Sequence, residues 1–508
     1  MGCVLAIDAG TTGVRTFALA ESGEILDAAY RPLTQHFPRP GWVEHDPVEI
    51  WQLAEATLGE VAGRLARAQL PVAAIGITNQ RETALAWDRR DGRPLHRAIV
   101  WQDRRTASRC EELVEQGRLD HVRRHTGLVI DPYFSATKFE WLLRTGGVTA
   151  SPALALGTVD AWLLWQLTGA TRGGVLATDA TNAARTMLYD IHEMAWSEQL
   201  CELFGVPVRA LPEARPSCGR FGVAQLDAAG EVARTLRGVP VSALAGDQQA
   251  AMVGQACFEE GLAKVTYGTG SFVLANAGAR CPEPAAGVLT TIAWDLGDHA
   301  GSAPAVSYAV EGSTFAAGAA IQWLRDGLGI IERSEDLGPL AETVPDSGGV
   351  RTVPALSGLG SPWWDPRARA MVTGISIDSG RAQIARSVVE SMAFGVRAMV
   401  EAIGAALGRP CSELRADGGA SVMTLLLQLQ ADQLRIPVVR PRCVETTVLG
   451  AGMLAGLAEG VWTSLGDLAG QWHPDAELHP IADAASADAY YEAWLATVDR
   501  TRGWATER

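Results

Sequence analysis

The chain alternates short, densely apolar runs with glycine-bearing turns, and it does so twice in the same manner. Val4-Leu5-Ala6-Ile7 predicts a buried strand, Asp8-Ala9-Gly10-Thr11-Thr12-Gly13 a polar tip, and the run around Phe17-Ala18-Leu19 the return strand of a β-hairpin. Asp46-Pro47-Val48-Glu49 then offers an N-cap, a proline at the first helical position and a capping-box glutamate. Ile50, Leu53, Leu58, Val61 and Leu65 follow, and an amphipathic helix is expected there. Val72 to Ile77 predicts a second buried strand, closed by the polar cluster Asn79-Gln80-Arg81-Glu82. Ligands gather at such C-terminal strand ends in α/β folds.

The second half repeats the design. Val241 to Ala245 predicts a strand leading into Gly246-Asp247-Gln248-Gln249, and Ala263 to Leu274 reads as strand, Gly-Thr turn and strand, with Gly268-Thr269-Gly270 at the tip. A repeat spaced by half the chain implies two related domains facing one another, here divided as 1–256 and 257–508. Ile384 to Leu407 predicts a long helix, Leu414 to Asp417 a short strand, and Gly418-Gly419-Ala420 a tight turn into a helix around Leu425 to Leu434. A glycine turn before a helix suits an anion. Val448 to Leu457, with Gly450, Gly452 and Gly456, is expected to pack unusually close to a neighbour.

Composition narrows the choice. At 508 residues the chain exceeds what one hydrophobic core supports, and a net charge of -15 lowers the prior for nucleic acid. The eight cysteines are scattered, without zinc-ligand spacing, and read as reduced, buried thiols. The N-terminal run reads as a strand and not an export signal, and Val448 to Ala458 is too short to cross a bilayer, so a cytoplasmic protein without membrane insertion is expected.

Lys138 and Lys264 are the only lysines, so no Walker A motif exists and the protein-kinase set is also missing. If phosphates are held, the glycine turns must hold them. The tips at Thr11-Thr12-Gly13 and Gly268-Thr269-Gly270 offer backbone donors and hydroxyls from opposite walls of a cleft. Asp8 and Asp247 each end an apolar strand, where a carboxylate is costly unless a cation or donor meets it; magnesium is the natural cation, and turn capping is the alternative use. Arg81-Glu82 read alone is a solvated loop. Together with Trp101, Tyr133 and Phe272 it fits a polyol pocket.

These runs resemble the FGGY family of carbohydrate kinases, and within it the members that phosphorylate glycerol. The matching segments are Asp8 to Thr12, Pro40 to Asp46, Ile75 to Thr83, Ile99 to Gln102, Thr126 to Ser135, Gly157 to Asp160 and Ala245 to Ala250. In the second half they are Tyr267 to Gly270, Ile321 to Asp326, Gly358 to Gly360 with Trp364 to Pro366, and Asp417 to Ala420. The resemblance implies an α/β fold of duplicated ribonuclease H-like (actin-like ATPase) domains, with ATP and glycerol in the cleft between them and a homo-oligomer, dimer or tetramer. It implies that Arg81, Glu82, Tyr133, Asp247 and Gln248 bind glycerol, Trp101 and Phe272 line its carbon side, and Asp247 is the general base. Asp8, with Asp247, would hold Mg2+; Thr11, Thr12, Gly13, Arg15 and Thr269 would meet the phosphates; Gly318, Gln322, Gly419 and Met423 would lie on the nucleoside side.

Some positions depart from the family pattern. Ala9 stands where Gln is usual, Gly13-Val14 where Ser-Ser is common, and Met423-Thr424 where an Asn usually touches adenine. Leu226 to Arg234 lacks the glycine-rich basic loop by which some relatives bind fructose bisphosphate, so no such inhibition is expected. A kinase for another polyol or ketose, an actin- or chaperone-like ATPase, and a weakened regulatory homologue remain the competing readings.

Overall fold

A computed structural model describes residues 2–226 and 235–505. The segment expected to lack a fructose bisphosphate loop falls, apart from Leu226, outside the described residues.

Strands β1 (Cys3–Ala9), β2 (Gly13–Leu19) and β3 (Ile25–Pro32) form an antiparallel meander, so the predicted first hairpin is present. All seven residues of β1 are buried, as a central strand's continuous apolar run demands. Helix α1 (Pro47–Arg67) then carries the chain to β4 (Val72–Asn79), which lies parallel to β1. At the helix start, Asp46 accepts from the Val48 N–H at 2.9 Å. Glu49 does not complete the expected capping box: its carboxylate accepts instead from the Thr34 hydroxyl at 2.7 Å. The apolar stripe of α1 does turn inward, burying Ile50, Leu58, Val61 and Leu65. Each such side chain contributes roughly 1.5–3 kcal/mol.

Strands β5 (Cys218–Val223) and β6 (Pro240–Gly246) complete the first sheet in the order β5-β6-β4-β1-β2-β3. Helix α2 (Asp247–Gly254) follows β6 directly. The second sheet contains β7 (Leu262–Tyr267), β8 (Ser271–Gly278), β9 (Leu289–Asp295), β10 (Val306–Thr314), β11 (Glu413–Asp417), β12 (Val438–Pro441) and β13 (Pro474–Leu478). Their order is β9-β10-β8-β7-β11-β12-β13. In each sheet an antiparallel trio, β3-β2-β1 or β10-β8-β7, is continued by two parallel strands, β4-β6 or β11-β12. That shared order is the duplication foreshadowed by the two Gly-Thr hairpins.

Three helices of the second half matter for the site. Helix α3 (Arg381–Leu407) is the long helix predicted, and α4 (Thr424–Leu434) follows the Gly418 turn, whose φ of +85° suits glycine. Helix α5 (Thr446–Ala458) crosses α2 and lies on the first sheet, where a side chain on Gly76 would strike the Ala451 carbonyl. The expected close packing is real: a Cβ on Gly450 would fall 1.8 Å from the Ala250 carbonyl oxygen, and one on Gly254 2.0 Å from that of Thr446.

Register sets the cleft. Ala9, Asn79 and Gly246 stand in one row, so β1, β4 and β6 end level, and Asp247 and Arg81 emerge just beyond. Thr266 and Asp417 pair likewise at the ends of β7 and β11. All eight cysteines are free thiols, with Cys281 and Cys443 only partly buried. Among the described residues no helix is long and apolar enough to cross a membrane.

Candidate active site

The two sets of strand ends enclose a cavity of about 200 Å3. It is lined by Asp8, Thr11, Thr12, Gly13, Arg15, Arg81, Glu82, Trp101, Tyr133, Asp247, Gln248, Thr269 and Phe272, together with Gly268 and Thr447. A second cavity of about 850 Å3 is lined by Gly318, Gln322, Gly419, Met423 and Val422, and shares Gly268 and Thr269 with the first. Every residue to which the family resemblance gives a site role thus lines one of two adjoining spaces, and Gly268 and Thr269 of the second Gly-Thr tip form their common wall.

Asp247 opens helix α2, with its side chain 30% exposed. Its Oδ1 lies 3.1 Å from Arg81 Nε and accepts from the Gln248 N–H at 2.7 Å. Both contacts fall on Oδ1, and among the described residues no hydrogen bond engages Oδ2, which leaves it for a ligand.

Arg81 and Glu82 are not the solvated pair that adjacent opposite charges suggest; they are 2% and 1% exposed. Glu82 also holds a left-handed backbone, φ +60°, a strain that persists only where the surroundings fix it. Two residues not anticipated from the sequence, Arg185 and Glu311, complete the arrangement. Glu311 takes Arg81 in a fork, 2.8 Å to Nη1 and 3.0 Å to Nη2, and Arg185 donates to Glu82 at 2.7 Å and to Glu311 at 3.1 Å. Arg81 Nη2 further reaches the Tyr133 hydroxyl at 3.2 Å. Burial alone would raise the Glu311 carboxyl, yet Arg185 and Arg81 pull it down to about 2; for Glu82 burial prevails over the same arginines and its pKa is raised. The only sequence signal for Glu311 was a lone acid inside an apolar strand, where an unpaired charge is prohibitively costly.

The two lysines are both buried beside the site. Lys138 Nζ donates to the backbone carbonyls of Tyr133 at 2.6 Å and Phe134 at 3.1 Å, and Lys264 Nζ donates to Gln248 Oε1 and to Thr266 Oγ1 at 2.9 Å. A compact three-donor ammonium serves such converging oxygens where a planar guanidinium does not. Burial lowers each to about 8, against the pull of Glu82 on Lys138 and of Asp417 on Lys264.

Trp101 meets Tyr133 and Phe272 edge to face, with ring centroids 5.6 and 6.1 Å apart, and donates its indole N–H to the Thr11 hydroxyl at 2.9 Å. Asp8 is pushed up to about 6 by burial, despite Arg15 at 3.6 Å and with Asp247 and Glu445 adding to the rise. Arg15 is shared with Glu445 at 2.6 Å. The second tip is braced by the chain ahead of Gln322: the Gly318 N–H bonds the Gly268 carbonyl and the Ala317 N–H that of Thr269, each at 2.9 Å.

Like-built halves whose strand ends present acids and Gly-Thr turns to a shared cleft define a two-domain α/β phosphotransferase of the actin-like ATPase fold. The chain belongs to the FGGY family of carbohydrate kinases: the family's N-terminal domain model matches residues 3–254 and its C-terminal domain model residues 263–459. It is 48% identical to a glycerol kinase of Citrifermentans bemidjiense, over 99% of each chain. It is 46% identical to one of Symbiobacterium thermophilum, over 100% of this chain and 99% of the relative. Among solved structures, Plasmodium falciparum glycerol kinase with ADP superposes with a TM-score of 0.89 at 32% identity, covering 99% of this chain and 98% of the other.

Proposed function

We propose that the protein transfers the terminal phosphoryl group of ATP to a hydroxyl of glycerol, in the cytoplasm, with Asp247 as general base. The bond from the γ-phosphorus to the ADP oxygen breaks, a bond to the glycerol oxygen forms, and the hydroxyl proton passes to Asp247 Oδ2. The observation that carries this reading is the one-sided engagement of Asp247, whose Oδ1 is held by Arg81 and the Gln248 N–H while Oδ2 is left beside a cavity of about 200 Å3. That volume suits a three-carbon polyol. Because phosphoryl transfer is largely dissociative, Asp247 chiefly orients the attacking oxygen and takes the proton late.

In this reading Arg81, Glu82, Tyr133 and Gln248 hold the hydroxyls, and Trp101 and Phe272 shape the carbon side. Thr11, Thr12, Gly13, Arg15 and Thr269 meet the phosphates. Gly318, Gln322, Gly419 and Met423 hold the nucleoside in the larger cavity. Residues 1–256 thus supply most of the polyol side and the first phosphate hairpin, and 257–508 the nucleotide side, with Phe272 reaching into the polyol pocket.

A magnesium ion fits the acids present. Asp8 and Asp247 line one cavity, and burial raises the Asp8 carboxyl despite Arg15, a cost that a cation bound there would relieve. Among the described residues no three His, Cys, Asp or Glu form a metal cluster, and Mg2+ typically takes one or two carboxylates, with phosphate oxygens and water completing its shell. When bound, the ion would neutralise charge on the phosphates.

The test is ADP release with glycerol, dihydroxyacetone, erythritol, xylulose or no acceptor. Glycerol-dependent release supports the reading. Equal release without acceptor, or preference for a longer acceptor, overturns it.

A further inference from the structure

We infer that Glu311 is a positioning residue, which from the second sheet fixes Arg81 and through it the orientation of Asp247. Glu311 stands on β10, within the part matched by the C-terminal domain model, whereas Arg81 follows β4 in the part matched by the N-terminal one. A forked carboxylate contact at 2.8 and 3.0 Å fixes the plane of the guanidinium as well as its place. With both Nη atoms so committed, Nε comes to rest 3.1 Å from Asp247 Oδ1 as an ion pair, and Nη2 also reaches the Tyr133 hydroxyl.

Glu311 is itself held. Its Oε1 accepts from Arg185 at 3.1 Å and from the Ser313 hydroxyl at 3.0 Å, and its side chain is fully buried. It lines neither cavity, so it acts through Arg81 and not on a ligand. The polyol pocket is therefore complete only when the second sheet is seated against the first.

The inference rests on the proposed function for its kinetic effect but not for its structural one, which allows the two to fail separately. In Glu311→Gln one oxygen remains as acceptor and the charge is lost; in Glu311→Asp the charge remains and the reach shortens. The glycerol KM of E311Q should rise about tenfold or more and kcat fall by a similar factor, with ATP affinity within about twofold of wild type and E311D intermediate. A purely structural role would lower the melting temperature and the active fraction while leaving KM unchanged, and that result overturns the inference. A crystal structure of E311Q, or of E311D should E311Q not fold, reads the geometry without any acceptor. The Arg81 to Asp247 contact should be lost; its retention at 3.1 Å overturns the inference even if glycerol proves not to be the substrate.

Discussion

Lys264 donates to the carboxamide oxygen of Gln248 from beneath the site, and so leaves the Gln248 NH2 as the group presented to the cavity. The ammonium also places a positive charge near Asp417 and Asp247. Its pKa of about 8 makes the cation the form present below that pH, so wild-type kcat should fall as pH rises through about 8. Lys264→Met should lower kcat/KM by about ten- to a hundredfold and remove that alkaline limb. The sign for stability is opposite. The folded value lies below the ordinary 10.5, so between about 8 and 10.5 the unfolded chain binds more protons and the lysine adds stability as pH rises. Any stability advantage of K264M should therefore be largest below pH 8 and shrink above it, as read from denaturant midpoints across that range.

Asp247→Asn keeps the shape of the side chain, and the Gln248 N–H and Arg81 Nε still find an oxygen there. The proton acceptor is lost. Turnover should drop by about two to four orders of magnitude while nucleotide affinity changes little. Rapid-quench single turnovers and titration with a fluorescent ATP analogue separate the two quantities, and near-normal turnover would remove the role given to Asp247.

What the sequence disclosed, and what it withheld, follows from how local each signal is. The hairpins at Asp8 and Thr269 were legible because an apolar run and a Gly-Thr turn lie within a dozen consecutive residues. Asp8 and Asp247 were legible because a carboxylate ending a buried strand needs a purpose. Arg81-Glu82 misled when read alone: the partners that bury the pair, Arg185 and Glu311, stand 103 and 230 positions away from Glu82 and Arg81 respectively. Glu49 misled for a similar reason, since Thr34 competes for its carboxylate across a gap of 15 residues. The glycines of α5 announced a close neighbour, yet nothing in their spacing named α2 or the first sheet as that neighbour.

The α2–α5 crossing carries its own test. In Gly450→Ala the new methyl would sit 1.8 Å from the Ala250 carbonyl oxygen, so one helix must move. Overpacking of this kind costs about 1–3 kcal/mol or more. Because α2 begins at Asp247, its displacement should also lower kcat beyond what the remaining folded fraction explains. Urea denaturation and kcat at a temperature well below the transition give the two numbers. Wild-type stability in G450A would mean that the contact is looser than these positions require.

Met423 lies at the N-terminus of α4 and lines the larger cavity with Gly419 and the exposed Val422. Its thioether is a weak acceptor and no donor, so it grips a purine by contact area and reads little of its edge. An amide at this position would add both functions. Met423→Asn should therefore raise the ratio of kcat/KM for ATP over GTP by about tenfold, the equivalent of one net hydrogen bond of roughly 1.4 kcal/mol. The gain should lie in nucleotide KM, because the base is remote from Asp247 and the transferring phosphoryl group. Steady-state kinetics with both nucleotides at saturating glycerol measure it. An unchanged ratio would place base selection on other residues of the cavity, with Gln322 and Thr424 the next to vary.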